Sequence, residues 1–333
     1  MIQKEVNNIS PGLGPSLDQF LQQEHQQWPD FPSALLRILH AIAEAGKAVN
    51  DVVRRLDLVG IIGSQGVQNL SGDEQQHLDM MAHRCFVQSL VATGEVCAVI
   101  SEEAEDIVAC PSRGSNYVVA LDPLDGSPNI DVNAAIGTIF SVYQRRSARS
   151  MPVQPEDVLQ AGSQQQAAGY ILYGTSTMLV YTIGHGVHGF TYEPSASQFF
   201  LVHQAMQMPQ NGHTYAINDG HFNDFPSYVQ RYIQRCRRDR CAARYMGALV
   251  ADFHRHLIQG GVYLYPPTPT NPEGKLRLML ECNALAFLAQ QAGGTASNGQ
   301  QAILAIQPQS IHQRVPLYIG SIHMVQDLLA AVG

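Results

Sequence analysis

Hydrophobic positions follow two different periods along the chain. Across residues 33–56 they recur every three or four positions, which predicts an amphipathic helix, and a second helix is expected over residues 73–90. Beyond residue 94 the pattern changes to short apolar runs rich in β-branched residues, which indicate buried strands. Strands are therefore expected over residues 96–100, 117–121, 138–143, 169–183 and 189–192.

The second half of the chain mixes both patterns. Helices are expected over residues 227–237, 245–259 and 278–291, and strands over residues 261–265 and 317–320. Alternation of this kind predicts a layered α/β architecture. The first 30 residues are polar and rich in glutamine, which predicts a poorly ordered arm or a short helix. A Gln/Pro/Gly stretch near residues 206–212 marks a further boundary, so three parts are expected: residues 1–32, 33–205 and 206–333.

Composition and charge exclude several classes of protein. Of the 333 residues 45% are hydrophobic and 14% are charged, which is a globular balance. The formal net charge of -8 argues against nucleic-acid partners and anionic membrane surfaces, since both require a basic footprint. The N-terminus lacks the pattern of a secretory signal, and the longest stretch without charged residues, 158–192, is too rich in Gln, Gly, Ser and Thr to span a membrane. The six cysteines form no CxxC motif, so we expect reduced thiols and a cytoplasmic protein.

Acidic residues follow two of the predicted strands. Glu102 and Glu103 come directly after the strand at 96–100, and Asp122 and Asp125 come directly after the strand at 117–121. Because α/β sheets present ligands at the carboxyl ends of their strands, these four carboxylates are expected at one locus. A fifth carboxylate, Glu281, lies in the predicted helix at 278–291.

Carboxylates gathered at one point repel each other unless cations occupy the site. Hard oxygen ligands in this number suit Mg²⁺, with Mn²⁺ as the alternative. Two or more such ions activate water and stabilise both the attacking and the leaving oxygen of a phosphoryl transfer. Next to the second acidic pair, Gly126 permits close backbone approach, and Ser127 with its neighbouring amides is able to begin a helix that faces a phosphate. The sequence therefore predicts a metal-dependent reaction on a phosphate ester.

Residues 122–131, Asp-Pro-Leu-Asp-Gly-Ser-Pro-Asn-Ile-Asp, resemble the signature of class I fructose-1,6-bisphosphatases. Inositol monophosphatases share only the shorter core Asp-Pro-Leu-Asp-Gly. Further segments resemble the bisphosphatases in the expected order, and the resemblance covers roughly residues 35–333. It implies an α/β/α/β/α sandwich with an N-terminal metal-binding half and a C-terminal sugar-binding half. The further segments are residues 132–143, 169–179, 244–255, 274–283, 292–295 and 311–320.

The resemblance implies a role for each matching residue at the reacting phosphate. Glu103 and Asp79 would orient and deprotonate the attacking water, and Asp73 would belong to the adjoining catalytic loop. The 1-phosphate of the substrate would be held by Asp125, Gly126 and Ser127. Two to three Mg²⁺ ions would be bound by Glu102, Glu103, Asp122, Asp125 and Glu281 and by the backbone carbonyl of Leu124.

A second set of matching residues is implied to hold the sugar and its 6-phosphate. Arg244 would reach the 6-phosphate of a neighbouring subunit, which implies a homo-oligomer, specifically a homotetramer. The remaining sugar and 6-phosphate ligands would be Asn218, His221, Tyr245, Tyr265 and Lys275.

The chain departs from the family pattern at three places. Pro128 replaces a serine beside the phosphate loop and removes one backbone N–H. We expect this replacement to change the rate or the substrate affinity only modestly. His221 stands where a tyrosine is usual, and its imidazole still donates a hydrogen bond. The stretch 32–36, Pro-Ser-Ala-Leu-Leu, replaces the polar AMP-binding loop of many relatives, and Asn116 and Gln144 replace two cations. We therefore expect weak or absent inhibition by AMP.

The expected activity is Mg²⁺-dependent hydrolysis of the 1-phosphate of fructose 1,6-bisphosphate, giving fructose 6-phosphate and phosphate. Sedoheptulose 1,7-bisphosphate is the alternative substrate, because the two sugars differ by one carbon. A catalytically silent relative that only binds a sugar phosphate or a protein would have lost carboxylates, and all the expected ones are present.

Overall fold

The chain was analysed as a computed structural model. The structure describes residues 13–28, 30–55, 70–110 and 115–331. Within these ranges no helix combines the length and the apolar character needed to cross a membrane.

Among the described residues, helices and strands alternate in the second half of the chain. Strands are more frequent in the part of the chain before it. The α-helices are α1 (Leu17–Gln27), α2 (Ser33–Val53), α3 (Leu70–Ala92), α4 (Pro155–Val158), α5 (Ser227–Arg238), α6 (Leu249–Gln259), α7 (Asn283–Gln291) and α8 (Ile322–Leu329). The strands are β1 (Val96–Ser101), β2 (Val108–Ala109), β3 (Tyr117–Asp125), β4 (Ile136–Gln144), β5 (Gln165–Tyr173), β6 (Thr177–Thr182), β7 (His188–Glu193), β8 (Gln198–His203), β9 (Thr214–Ala216), β10 (Ala242–Ala243), β11 (Val262–Tyr265), β12 (Leu276–Arg277), β13 (Thr295–Ser297), β14 (Arg314–Val315) and β15 (Leu317–Gly320).

Two sheets and three groups of helices form five alternating layers. The larger sheet has the strand order β2-β1-β3-β4-β5-β6-β7-β8, and the smaller has the order β10-β9-β11-β15-β13. Helices α1–α3 cover one face of the larger sheet, α6 and α7 lie between the sheets, and α5 and α8 cover the far face of the smaller sheet. The α/β/α/β/α sandwich that the resemblance implied is therefore confirmed.

The central strands β3 and β4 explain why their sequences show continuous apolar runs. Every residue of β3 is buried, and all but the last residue of β4 are buried, because helices pack on both faces of the sheet. Strands β1 and β3 are parallel, so their carboxyl ends meet at the same edge of the sheet. This pairing brings the residues that follow the two strands together.

Several predicted boundaries differ from those observed. The predicted helix 33–56 is confirmed as α2, and Leu56 lies outside the described residues. In the N-terminal arm, residues 1–12 also lie outside them, while α1 is a short helix that buries Leu17, Phe20 and Leu21 against the core. The predicted helix 245–259 begins only at Leu249, because the residues before it form an extended turn.

Candidate active site

A β-bulge aligns two aspartates of strand β3. Asp122 is paired with Ile139 of β4 and Asp125 with Gly137, so three steps along β3 oppose two steps along β4. In a regular strand, residues three positions apart point to opposite faces, and one extra residue restores them to the same face. The sequence placed both aspartates after the end of the predicted strand 117–121, whereas the strand itself continues to Asp125.

The third member of the cluster comes from the second half of the chain. Glu281 lies in a single π-helical turn, Leu278–Cys282, that precedes α7, and its Oε2 accepts a hydrogen bond from the Arg277 N–H at 2.5 Å. Side-chain oxygens of Asp122, Asp125 and Glu281 all lie within 4.8 Å of one another, and all three residues are buried. The structure thus brings together carboxylates that lie up to 159 positions apart in the sequence, between 122 and 281.

The electrostatics of this cluster favour a cation. Burial, followed by the charge of Glu102, raises the pKa of Asp122 well above its usual range. Burial raises the pKa of Glu281 to about 8, with Glu102 and Asp125 adding to the effect. Burial also raises the pKa of Asp125 to about 7, although the backbone N–H groups of Val250 and Leu249 oppose that rise. Hard oxygen donors held this close, whose ionisation is disfavoured without a positive charge, fit a site for divalent ions such as Mg²⁺.

Glu102 and Glu103 occupy the turn after β1, beside the cluster. The Glu102 N–H donates to the Leu121 carbonyl at 3.0 Å, which extends the parallel pairing of β1 and β3 by one residue. The Glu102 carboxylate forms an ion pair with the Arg277 guanidinium. Burial, and then the charges of Asp79 and Glu102, raise the pKa of Glu103 to about 7. Both glutamates are half-buried, so their carboxylates remain accessible from the site.

Asp79 of α3 contacts the loop that follows the second acidic pair. Its Oδ1 accepts a hydrogen bond from the Ser127 hydroxyl at 2.7 Å, and that hydroxyl also lies 3.0 Å from the Leu124 carbonyl oxygen. Burial raises the pKa of Asp79 to about 6. Asp73 lies in the first turns of α3, where the structure describes the backbone and not the side chain.

The loop after Asp125 is shaped by one glycine. Gly126 has φ +85°, and a Cβ atom placed on it would lie 2.4 Å from the Cβ of Ala248, so only glycine fits here. A 3₁₀ helix, Ser127–Val132, begins directly after it. Pro128 occupies the first turn of that helix, where backbone N–H groups have no partner within the helix. The lost amide is thus one that the helix itself does not use.

The residues expected to contact sugar lie farther along the chain, around a separate pocket. A pocket of about 120 Å³ is lined by Asn218, His221, Tyr265 and Lys275 among others. His221 is exposed, with its Nδ1 3.7 Å from an oxygen of Asp224.

Tyr245 and Arg244 are not among the residues that line the pocket described above. Tyr245 is 40% exposed and lies next to the cluster, since Asp125 and Asp252 influence its pKa, which burial raises to about 12. Arg244 is exposed, and its Nη1 donates to the Ala243 carbonyl at 3.0 Å.

Arg277 is a site residue that sequence reasoning did not single out. Its guanidinium meets Glu102 and its backbone N–H meets Glu281, so it contacts two of the expected metal ligands. The sequence signal was its position four residues before Glu281, directly ahead of the helix predicted at 278–291. That spacing was not decisive, because Glu102, the partner of the guanidinium, is 175 residues away.

Comparison with known proteins identifies the family. The family model for the fructose-1-6-bisphosphatase N-terminal domain matches residues 16–204, and the model for the C-terminal domain matches residues 208–333. The chain is 54% identical over 319 residues to a "Fructose-1,6-bisphosphatase class 1" of Amoebophilus asiaticus (strain 5a2), with 96% of each protein covered. It is also similar to the crystal structure of Leishmania major fructose-1,6-bisphosphatase in holo form, with a TM-score of 0.87, 33% identity, and 96% of this chain and 98% of that chain covered. The chain therefore belongs to the class 1 fructose-1,6-bisphosphatase family.

Proposed function

We propose that the protein hydrolyses the 1-phosphate of fructose 1,6-bisphosphate, giving fructose 6-phosphate and phosphate. The observation that carries this proposal is the buried group of Asp122, Asp125 and Glu281, whose oxygens lie within 4.8 Å of one another beside a glycine loop able to receive a phosphate. Membership of the family supports the choice of substrate.

Two to three Mg²⁺ ions are the proposed cofactor, with Mn²⁺ as a substitute. The proposed ligands are the carboxylates of Glu102, Glu103, Asp122, Asp125 and Glu281 and the backbone carbonyl of Leu124. When bound, the ions would neutralise developing negative charge and lower the pKa of bound water. The ion pair between Arg277 and Glu102 supports this assignment, because it shows that Glu102 takes a positive partner at the site.

Glu103 and Asp79 are the proposed acceptors of the proton from the attacking water. Their pKa values, raised by burial to about 7 and about 6, suit groups that accept a proton near neutral pH. The bond between Asp79 and Ser127 ties one of these carboxylates to the loop proposed to hold the 1-phosphate. Asp73 is proposed to assist from the start of α3.

The rest of the substrate is proposed to lie toward the second half of the chain. Residues 33–205 would supply most of the metal ligands, and residues 206–333 would supply Glu281 and the sugar contacts. Asn218, His221, Tyr265 and Lys275 share one pocket, which supports their assignment to the sugar and the 6-phosphate. Metal ions would then meet the reacting phosphate, while Lys275 would meet the distant one as a point charge. Tyr245 would contact the substrate between the two.

Phosphate release by the purified protein with excess Mg²⁺ tests the activity. Fructose 1,6-bisphosphate, sedoheptulose 1,7-bisphosphate and inositol 1-phosphate are compared side by side. We expect rapid, metal-dependent release from the fructose substrate. Glu103→Gln and Asp79→Asn should each reduce kcat by about 10²- to 10⁴-fold through loss of proton transfer. Near-normal turnover in either folded variant would contradict the roles assigned, and faster release from the sedoheptulose substrate would reassign the substrate.

Inhibition by AMP is proposed to be weak or absent. The stretch that replaces the polar loop begins α2, where Leu35 and Leu36 are buried in the core. Phe31, immediately before it, is also buried there, and the next cation, Arg37, is paired with Glu95. A nucleotide phosphate would therefore meet the uncharged exposed side chains of Pro32 and Ser33 at the start of α2. Repeating the assay with AMP tests the proposal, and half-inhibition at low micromolar AMP would contradict it.

A cytoplasmic homotetramer is the proposed form of the protein. Arg244 supports an oligomer, because it is exposed and its guanidinium bonds only its own chain's Ala243 carbonyl among the contacts of the described residues. Light scattering measures the mass directly. In addition, inactive Arg244→Ala chains mixed with inactive Glu103→Gln chains should regain activity if the arginine acts across an interface. Absence of recovery in mixed oligomers would contradict the shared site.

A further inference from the structure

The backbone of Met246 is held on both sides, at its N–H and at its carbonyl, by side chains of two other segments. Its N–H lies 3.1 Å from each carboxylate oxygen of Asp252. Its carbonyl oxygen accepts a hydrogen bond from the Asn129 side-chain amide at 2.9 Å. The Met246 N–H belongs to the peptide group that joins Tyr245 to Met246, so the orientation of the Met246 backbone fixes where the tyrosine side chain begins.

Asn129 belongs to the loop proposed to hold the reacting phosphate. It lies in the 3₁₀ helix after Gly126, and its backbone N–H donates to the Gly126 carbonyl at 2.8 Å. The same side-chain amide that reaches Met246 also donates to the Ala135 carbonyl at 2.9 Å. Through Asn129, the segment carrying Tyr245 is tied directly to the phosphate loop.

Asp252 holds the N–H side of the Met246 backbone. It lies in the first turn of α6, is fully buried at 0% exposure, and also accepts a hydrogen bond from the Gly247 N–H. An acidic side chain enclosed this completely is retained only where its hydrogen bonds are satisfied. The two N–H groups of Met246 and Gly247 satisfy it, and they lie on the turn that connects Tyr245 to α6.

We propose that Asp252 and Asn129 are positioning residues that clamp the backbone of Met246, one at its N–H and the other at its carbonyl, and thereby fix Tyr245 relative to the phosphate loop. The proposal rests on the proposed function, because it concerns how the sugar end of the substrate is placed. Neither side chain is assigned contact with the substrate or the metal ions. Their effect is to set the separation between the site that receives the 1-phosphate and the tyrosine that meets the sugar.

This arrangement has a catalytic consequence because displacements of about 1 Å in a substrate-binding group are enough to lower reactivity strongly. A second hydrogen bond fixes the turn between Tyr245 and α6. The Val250 N–H donates to Asp125 at 2.7 Å, so the start of α6 is bonded to a proposed metal ligand. With the Met246 backbone released, the start of α6 remains bonded through Val250, while Tyr245 loses its fixed orientation. Sugar binding should therefore suffer more than metal binding.

Asp252→Asn, assayed in the full-length protein, tests the clamp. The amide occupies the same space but replaces one acceptor with a donor that faces backbone N–H groups. We expect the KM for fructose 1,6-bisphosphate to rise about 10- to 100-fold. The inhibition constant of fructose 6-phosphate should rise by a similar factor, while the Mg²⁺ concentration for half-activation stays at its wild-type value.

Asp157→Asn is the matched control. Asp157 lies in α4, is also 0% exposed and accepts backbone hydrogen bonds from Arg146, Ser147 and Gln154, in a part of the chain that contributes no proposed site residue. It should lower the thermal midpoint without changing the KM or the inhibition constant of fructose 6-phosphate. If both variants lower the midpoint and neither changes those constants, the role of Asp252 is structural only and the clamp is wrong.

Asn129→Ala provides a second route that does not depend on Asp252. It removes the donor to the Met246 carbonyl, so the KM should rise as well. The double variant should show less than the product of the two single effects, because both act through the backbone of one residue, Met246. Fully multiplicative effects, or an unchanged KM in folded Asn129→Ala, would overturn the clamp. Wild-type protein that fails to hydrolyse fructose 1,6-bisphosphate would instead refute the proposed function, and the clamp with it.

Discussion

Glu24 gives the protein a pH-dependent stability that can be calculated from its surroundings. The residue lies on α1 at 4% exposure, and its Oε2 accepts a hydrogen bond from the Tyr181 hydroxyl at 2.5 Å. His188 Nε2 lies 3.7 Å from Oε1, a separation that allows an ion pair only if the imidazole is protonated. Burial lowers the pKa of His188, and its Nδ1 accepts the Ala205 N–H, so we assign it as neutral at neutral pH. Glu24 therefore has no positive partner in these contacts.

The sign of the effect follows from the pKa of Glu24, which burial raises from 4.5 to about 7. Between these two values the folded protein binds more protons than the unfolded chain, so stability falls as pH rises through this window and levels off above it. At about 1.36 kcal/mol per pH unit, the ionised side chain destabilises the folded state by about 3 kcal/mol above pH 7. Glu24→Gln removes this penalty and preserves an oxygen for Tyr181.

Thermal unfolding at pH 8 and pH 4.5 measures the difference between Glu24→Gln and the wild type. For a chain of 333 residues, 3 kcal/mol corresponds to an increase of about 4 °C in Tm. We expect that increase at pH 8 and almost none at pH 4.5, where the wild-type side chain is already protonated. Asp157→Asn should instead lower the Tm, because hydrogen bonds lower the pKa of Asp157 and stabilise its charged form. A variant less stable than wild type at pH 8 would refute the reasoning.

The active site supplies two further predictions. Asp122→Asn should raise the Tm of metal-free protein at pH 8, because it removes one of three buried carboxylates whose ionisation is disfavoured. Mg²⁺ should stabilise the wild type far more than the variant. A lower metal-free Tm in the variant would contradict this prediction. Gly126→Ala should destabilise the folded protein by at least about 1 kcal/mol and reduce kcat/KM. The reason is that the Gly126 φ of +85° disfavours any residue with a Cβ atom, and that a Cβ at this position would lie 2.4 Å from Ala248. A variant with both the activity and the Tm of the wild type would contradict this prediction.

The gathering of carboxylates was predictable because much of it is encoded locally. Glu102 and Asp122 each follow an apolar run, and the parallel pairing of β1 with β3 places such residues at one edge. The β-bulge was not predictable, since a run such as Asp-Pro-Leu-Asp fits a turn as well as an irregular strand. What decides between them is pairing with β4, and the local sequence does not show that pairing.

Sequence reasoning missed both residues of the clamp, Asp252 and Asn129. Asp252 lies among apolar neighbours in a predicted helix, and such a position signals a buried acid without naming its partner. Its partner, the Met246 N–H, is only six residues away, but the predicted helix 245–259 would have placed that amide inside the helix. The other half of the clamp spans 117 positions, from Asn129 to Met246, and follows only from the packing of α6 against the phosphate loop.

The buried carboxylates of the proposed metal site differ from Asp157 in what their charges do to the fold. Asp157 is surrounded by hydrogen-bond donors that lower its pKa, so its charge stabilises the fold. Asp122 and Glu281 have pKa values raised by burial and by neighbouring carboxylates, so their charges oppose folding until a cation arrives. An acidic group that weakens the metal-free fold increases the free energy available for binding Mg²⁺, because the ion relieves the repulsion as it binds. The stability that the carboxylate cluster removes from the metal-free protein is therefore recovered when Mg²⁺ binds. A substitution that alters the charge of this cluster should change the Mg²⁺ affinity and the stability of the metal-free protein in opposite directions.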